Sequence, residues 1–105
     1  MIRQETIDSV VRHIAEKFNP IRITVFGSYA RGSPTEDSDL DLFVEMESDL
    51  PRRERQLAIR ESFPTYPGCP MDIIVYTPQE AEYWGQARAS LVSMVRREGR
   101  VVHER

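Results

Sequence analysis

Ile21-Arg22-Ile23-Thr24-Val25-Phe26-Gly27-Ser28-Tyr29-Ala30-Arg31-Gly32 changes character halfway along its length. Ile21, Ile23 and Val25 alternate with polar residues, the period of a strand. At Gly27-Ser28 the strand breaks and a short helix opens. The first backbone N–H groups of such a helix have no partner within it and point past the strand end, where an anion can sit. Glycine lets that anion approach the main chain with no Cβ in the way. Ser28 adds a hydroxyl donor and Arg31 a positive charge. A plain turn after a strand uses the same residues, so the stretch alone does not separate the two readings. The Gly27-x4-Gly32 spacing imitates a P-loop, but Ser33 stands where the lysine is required, which excludes one.

On the N-terminal side, Ile7, Val10, Val11, Ile14, Ala15 and Phe18 recur at the spacing of one helical face, and Asn19-Pro20 stops that helix. On the C-terminal side, the polar loop Ser33–Ser38 leads into a second alternating stretch. There Leu40, Leu42, Val44 and Met46 face one way, and Asp39, Asp41, Phe43 and Glu45 the other. Residues 51–63 predict a charged surface helix, and Pro64, Pro67, Gly68 and Pro70 a turn-rich connector. Met71–Tyr76 reads as a third strand. It runs into Thr77-Pro78-Gln79-Glu80, an N-cap, a first-turn proline and a capping-box glutamate. One helix or a pair of helices continues to Gly99, a candidate C-terminal cap, and Arg100–His103 predicts a short last strand. The order is α/β, a small mixed β-sheet with flanking helices, and 105 residues fit a single domain over 1–105.

Two carboxyl features stand out on this frame. Asp39 and Asp41 are two apart at a strand start, so they share a face about 6–7 Å apart along the chain. Like charges there repel and lose hydration unless a cation lies between them, and an all-oxygen site suits Mg²⁺. A solvent-facing edge strand would tolerate both without any ion, and that reading stays open. An EF-hand is excluded, because counting from Asp37 puts Leu42 at the glycine position and Ser48 at the bidentate glutamate. Asp72 interrupts an apolar strand, where aspartate is disfavoured unless partnered or exposed at the strand end. Beside the Asp39/Asp41 strand it would complete a cluster able to hold two ions about 3.5–4 Å apart.

Gly27-Ser28, a short helix, Asp39-Leu40-Asp41 and a later strand aspartate, Asp72, together resemble the polymerase-β-type nucleotidyltransferase superfamily. The short chain is similar to its minimal nucleotidyltransferases, the antitoxins that pair with HEPN-domain toxins. The resemblance is firm over residues 21–76. It implies the polymerase-β-like fold and transfer of AMP from ATP to an acceptor hydroxyl, a tyrosine of a cognate HEPN-type toxin. It further implies that Gly27 and Ser28 hold the β- and γ-phosphates, with Arg31 near them. Asp39, Asp41 and Asp72 become the catalytic residues and the ligands of two Mg²⁺ ions. A hetero-oligomer with the toxin is the expected assembly. The alternatives are a small-molecule transferase of the aminoglycoside type and an antitoxin that acts by occlusion alone.

Composition sets the bounds. Hydrophobic and charged shares of 40% and 30% belong to a folded chain, not a disordered one. A net charge of −3 offers nucleic acid no general attraction, so phosphate binding is expected to be local. No apolar run is long enough for a membrane span, and the early charges Arg3, Glu5 and Asp8 leave no signal-peptide core, so the expected location is cytoplasmic. Other residues are expected to be ordinary. Cys69 lies alone in the connector, and its change to serine is expected to be neutral. His13 and His103 lack a second ligand at metal spacing. Arg52, Arg53 and Arg55 read as a solvated face, with contact to the acceptor or to RNA as the alternative reading. Tyr83 and Trp84 read as core or interface anchors.

Overall fold

In the computed structural model, which describes residues 1–105, helix α1 (Gln4–Phe18) buries Ile7, Val10, Val11 and Ile14, the stripe the periodicity predicts. It ends at Asn19, which takes the left-handed conformation and donates its N–H to the Ala15 carbonyl. Strand β1 (Arg22–Phe26) leads into the four-residue α2 (Ser28–Arg31), and β2 (Leu40–Glu45) follows the polar loop. Next come α3 (Arg52–Glu61), β3 (Met71–Tyr76), the helix pair α4 (Pro78–Gly85) and α5 (Leu91–Glu98), and β4 (Arg100–Glu104). The capping box at Thr77 and Glu80 forms as read from the sequence.

The four strands make one mixed sheet in the order β3-β2-β1-β4. β2 runs parallel to β3 and antiparallel to β1, and β4 lies antiparallel on the far side of β1. Helices cover both faces. Ile23, Val25, Leu40, Leu42, Val44, Ile73 and Val75 pack with α1 and with Ile59 of α3. Phe26, Phe43 and Tyr76 pack on the other face with Ala81 of α4 and with Val92 and Val95 of α5. The polar-looking side of β2 is therefore an interior too. Glu45 is buried there, held by Arg22 Nη1 at 3.2 Å, while the same guanidinium holds Glu104 at 2.8 Å and so ties β4 to the sheet.

Two expectations need correction, those for Arg55 and Cys69, and two are refined, those for Gly99 and for Tyr83 with Trp84. Arg55 is no part of a solvated face, being only 7% exposed. Its guanidinium reaches Glu80 Oε1 at 2.6 Å, the Leu50 carbonyl at 2.7 Å and the Val75 carbonyl at 3.3 Å, linking α3 to β3 and to the cap of α4. Gly99 follows α5 as expected but in extended backbone, not the left-handed cap conformation. Its reason is closeness, because a Cβ there would stand 2.6 Å from Thr24 Cγ2. Cys69 is a loop residue buried in the core, so serine would leave a hydroxyl in an apolar pocket, and neutrality is no longer expected. Of the two roles read for Tyr83 and Trp84 the core one fails, since both are exposed and pack edge-to-face on each other, while exposure agrees with the interface one.

The Arg55–Glu80 link generates a stability prediction. Arg55→Ala strands a half-buried carboxylate, at a cost of about 2 kcal/mol in a urea midpoint assay, below the figure for a fully buried pair because Glu80 keeps access to water. The hydrogen bond from Arg55 holds the Glu80 carboxyl below the usual glutamate range. The stabilisation is therefore complete above that range and is lost as the pH falls through the lowered folded value. Arg55→Ala should flatten this acid-side loss. An unchanged midpoint and an unchanged acid slope would show that the link contributes nothing.

Candidate active site

The predicted site residues gather at one end of the sheet, where β1 finishes and the parallel strands β2 and β3 begin. Phe26, Asp41 and Asp72 form one row across β1, β2 and β3. Adjacent strands lie about 4.8 Å apart, so Asp41 and Asp72 are cross-strand neighbours on the same face. This is the α4–α5 face, one row beyond Thr24, Phe43 and Ile74. Asp39 lies just before β2, exposed, and Asp72 is also exposed on the edge strand. Asp41 is half-buried on a central strand, hydrogen-bonded on both sides. The edge-strand reading thus fits Asp72 and fails for Asp41.

Asp41 is the strained member. Burial pushes its carboxyl above the usual aspartate range, and the charges of Asp72 and then Asp39 push it further, while Arg31 partly offsets them. None of the three carboxylates enters any of the molecule's five ion pairs. Gly27 lies directly against this cluster, and a Cβ built on it would collide with the Asp41 carboxylate. Gly27 also has a φ of 73°, a conformation that side chains resist. Both facts exclude other residues there.

From Gly27 the chain turns at once into α2. The Ala30 and Arg31 N–H groups return to the Gly27 carbonyl, which leaves those of Ser28 and Tyr29 as the open first-turn donors beside Asp41. The Tyr29 hydroxyl accepts a hydrogen bond from Ile2 N at 2.7 Å, pinning α2 to the N-terminal segment, a tether no sequence pattern signals. Arg31 sits at the other end of α2. Its guanidinium is 3.9 Å from Glu98, both side chains are well exposed, and such a pair restrains it little.

The three carboxylates offer hard oxygen donors of the kind Mg²⁺ takes. They do not close into a cage: no group of three or more His, Cys, Asp or Glu side chains is gathered tightly enough to grip a metal. The cluster expected from the sequence is assembled at the level of the backbone, with like-charged side chains that nothing draws together. The residues fit the ion by donor chemistry and by their surplus of negative charge.

The family model described as a nucleotidyltransferase domain matches residues 7–102. The chain belongs to this nucleotidyltransferase family. It is similar to the protein adenylyltransferase MntA of Thermococcus cleftensis, 32% identical over 79 residues that make up 71% of this chain and 79% of that protein. It is 37% identical over 62 residues to a provisionally assigned protein adenylyltransferase of Methanocaldococcus jannaschii, covering 58% of this chain and 62% of the relative. A crystal structure of a provisionally assigned nucleotidyltransferase from Sulfolobus solfataricus superposes with a TM-score of 0.65 over 96% of this chain and 79% of that one. At 17% identity that likeness shows the fold. The polymerase-β-like architecture and the activity class, nucleotidyl transfer, stand on these matches. No helix is long and apolar enough to cross a membrane.

The charge surplus gives a signed pH prediction. Because the folded value of Asp41 is raised, the folded chain holds a proton that the unfolded chain has released. The contribution of Asp41 to metal-free stability should therefore be greatest below the usual aspartate range and should fall as the pH rises through the raised value. Asp41→Asn should remove this decline and raise the urea midpoint at neutral pH. Gly27→Ala should lower the midpoint by about 1–2 kcal/mol through backbone strain and collision. If Asp41→Asn unfolds the chain, the carboxylate holds the fold together and the site assignment fails.

Proposed function

We propose that the chain transfers AMP from ATP to a hydroxyl on a protein acceptor, a tyrosine of a cognate HEPN-type toxin, and acts as its antitoxin in the cytoplasm. The observation that carries the reading is the row Phe26-Asp41-Asp72 beside Gly27-Ser28. Unpaired carboxylates meet an anion-accepting helix start at one sheet end, in a chain of the nucleotidyltransferase family. The relatives named as protein adenylyltransferases support a protein acceptor.

In this mechanism the Ser28 and Tyr29 N–H groups and the Ser28 hydroxyl hold the β- and γ-phosphates. Arg31, weakly restrained, swings from Glu98 to add positive charge. Asp39, Asp41 and Asp72 would hold Mg²⁺, which when bound would neutralise phosphate charge and lower the pKa of a hydroxyl. Asp72, exposed on the edge strand, faces the incoming acceptor and takes the hydroxyl proton on a carboxylate oxygen. The acceptor oxygen bonds to the α-phosphorus as the bond to the β-phosphate bridge breaks, and pyrophosphate leaves on the α2 side.

Incubation with the protein encoded beside this gene and with labelled ATP tests the reaction. α-Labelled ATP should mark the acceptor, γ-labelled ATP should not, and Asp72→Asn should lower labelling by at least about a hundredfold. Mg²⁺ with ATP should raise the melting temperature. γ-Label on the acceptor would make the protein a kinase. Tight partner binding with no label from any nucleotide would leave an antitoxin that works by occlusion.

A further inference from the structure

Beyond the acidic cluster, the surface beside β3 carries relief of its own. Two adjoining hollows of about 440 and 420 Å³ share Arg52, Tyr76 and Leu91 as walls. One extends to Ile74, the other to Trp84. Ile74 and Tyr76 follow Asp72 on the same face of β3, so the trough starts about 7 Å along the strand from Asp72, passes Tyr76 at about 13 Å and continues to Trp84. We propose that this trough binds an extended, acidic segment of the acceptor protein and feeds its hydroxyl to Asp72. The proposal rests on the nucleotidyl-transfer reading above and names where the acceptor docks.

Three observations select this occupant. In-line displacement puts the entering and leaving oxygens on opposite sides of phosphorus. Phosphates seated at α2, which follows β1, leave the β3 side for the acceptor, since β2 and Asp41 lie between them. The second observation is charge. Arg52 stacks over the Tyr76 ring at 4.4 Å, and neither Arg52 nor Arg53 belongs to any ion pair, although the chain as a whole carries −3. Two free cations on the lip of an aromatic trough complement carboxylates, and the acidic remainder of the surface disfavours a polyanionic nucleic acid. Thirdly, the outer edge of β3 is obstructed to strand addition at two of its carbonyls. Its Val75 and Met71 carbonyls already accept from Arg55 at 3.3 Å and from Arg60 at 2.6 Å. A segment docking here is read by its side chains. At about 3.3 Å per extended residue, its acidic groups fall roughly two to four positions from the modified hydroxyl.

Trp84 is the chain's single tryptophan and lines the trough, so its fluorescence reports occupancy without ATP, metal or turnover. The probes are a short tyrosine peptide flanked by aspartate and glutamate, the same peptide with lysine and arginine instead, single-stranded oligoribonucleotide, and ATP alone. The acidic peptide should change Trp84 emission, and the basic peptide should not. Arg53→Glu should weaken the acidic peptide about tenfold, and Arg52→Glu with Arg53→Glu by more, with preference turning towards the basic peptide. The single variant guards against misfolding, because Arg53 takes no part in the ion pairs or ring stacking. Equal response to both peptides, or an acidic-peptide response untouched by Arg53→Glu, overturns the proposal. Stronger response to RNA would make the trough a nucleic-acid site, and saturation by ATP alone would make it the nucleoside's seat. Peptide binding that behaves as expected while α-label is never transferred would uphold the docking site and sink the transfer reading.

Discussion

A carboxylate on the central strand of a sheet covered on both faces can be kept only where the covering stops. Asp41 stands at that boundary. One row further in, Phe43 is buried among Tyr76, Ala81, Val92 and Val95; in the row of Asp41, Phe26 is still covered but the aspartate side chain is half in water. The whole arrangement depends on this placement. Parallel pairing of β2 with β3 sets Asp72 beside Asp41, and antiparallel pairing with β1 brings Phe26, and hence Gly27, against the same carboxylate. The missing Cβ of Gly27 is what lets the open N–H groups of Ser28 and Tyr29 and a carboxylate cluster occupy neighbouring positions.

The cost of that placement is lost hydration first and charge repulsion second, visible in the raised Asp41 carboxyl and in the absence of any ion pair to the cluster. Elsewhere the fold treats charge in the opposite way. Buried Arg55 saturates its guanidinium with Glu80 and two carbonyls, and half-exposed Arg22 clamps Glu45 and Glu104. Interior charges that support structure are matched, and those at the sheet end are not. Unmatched negative charge on a rigid backbone is what a bound cation would relieve, and a phosphate could join it only with such a cation between them.

The edge strand β3 joins the two regimes. Its start carries Asp72, its outer carbonyls are capped by Arg55 and Arg60, and its site-facing side chains floor the trough below Arg52. The arginines of α3 therefore divide by helical position, with Arg55 turned inward and Arg52 and Arg53 left at the surface.

Much of the site was legible in the sequence because its signals are local. The strand ending in Gly27-Ser28 and the two-residue spacing of Asp39 and Asp41 need only backbone periodicity to be read, and the same is true of the cap at Thr77 and Glu80. Asp72 was legible as an anomaly, an aspartate in an apolar strand, though not as the cross-strand neighbour of Asp41. That required the parallel register of β2 and β3, which no local pattern specifies. The burial of Arg55, the extended Gly99 and the exposure of Tyr83 and Trp84 were likewise decided only in three dimensions. Each depends on which element packs opposite, and alternation along one strand or helix says which residues share a face but not what will cover it.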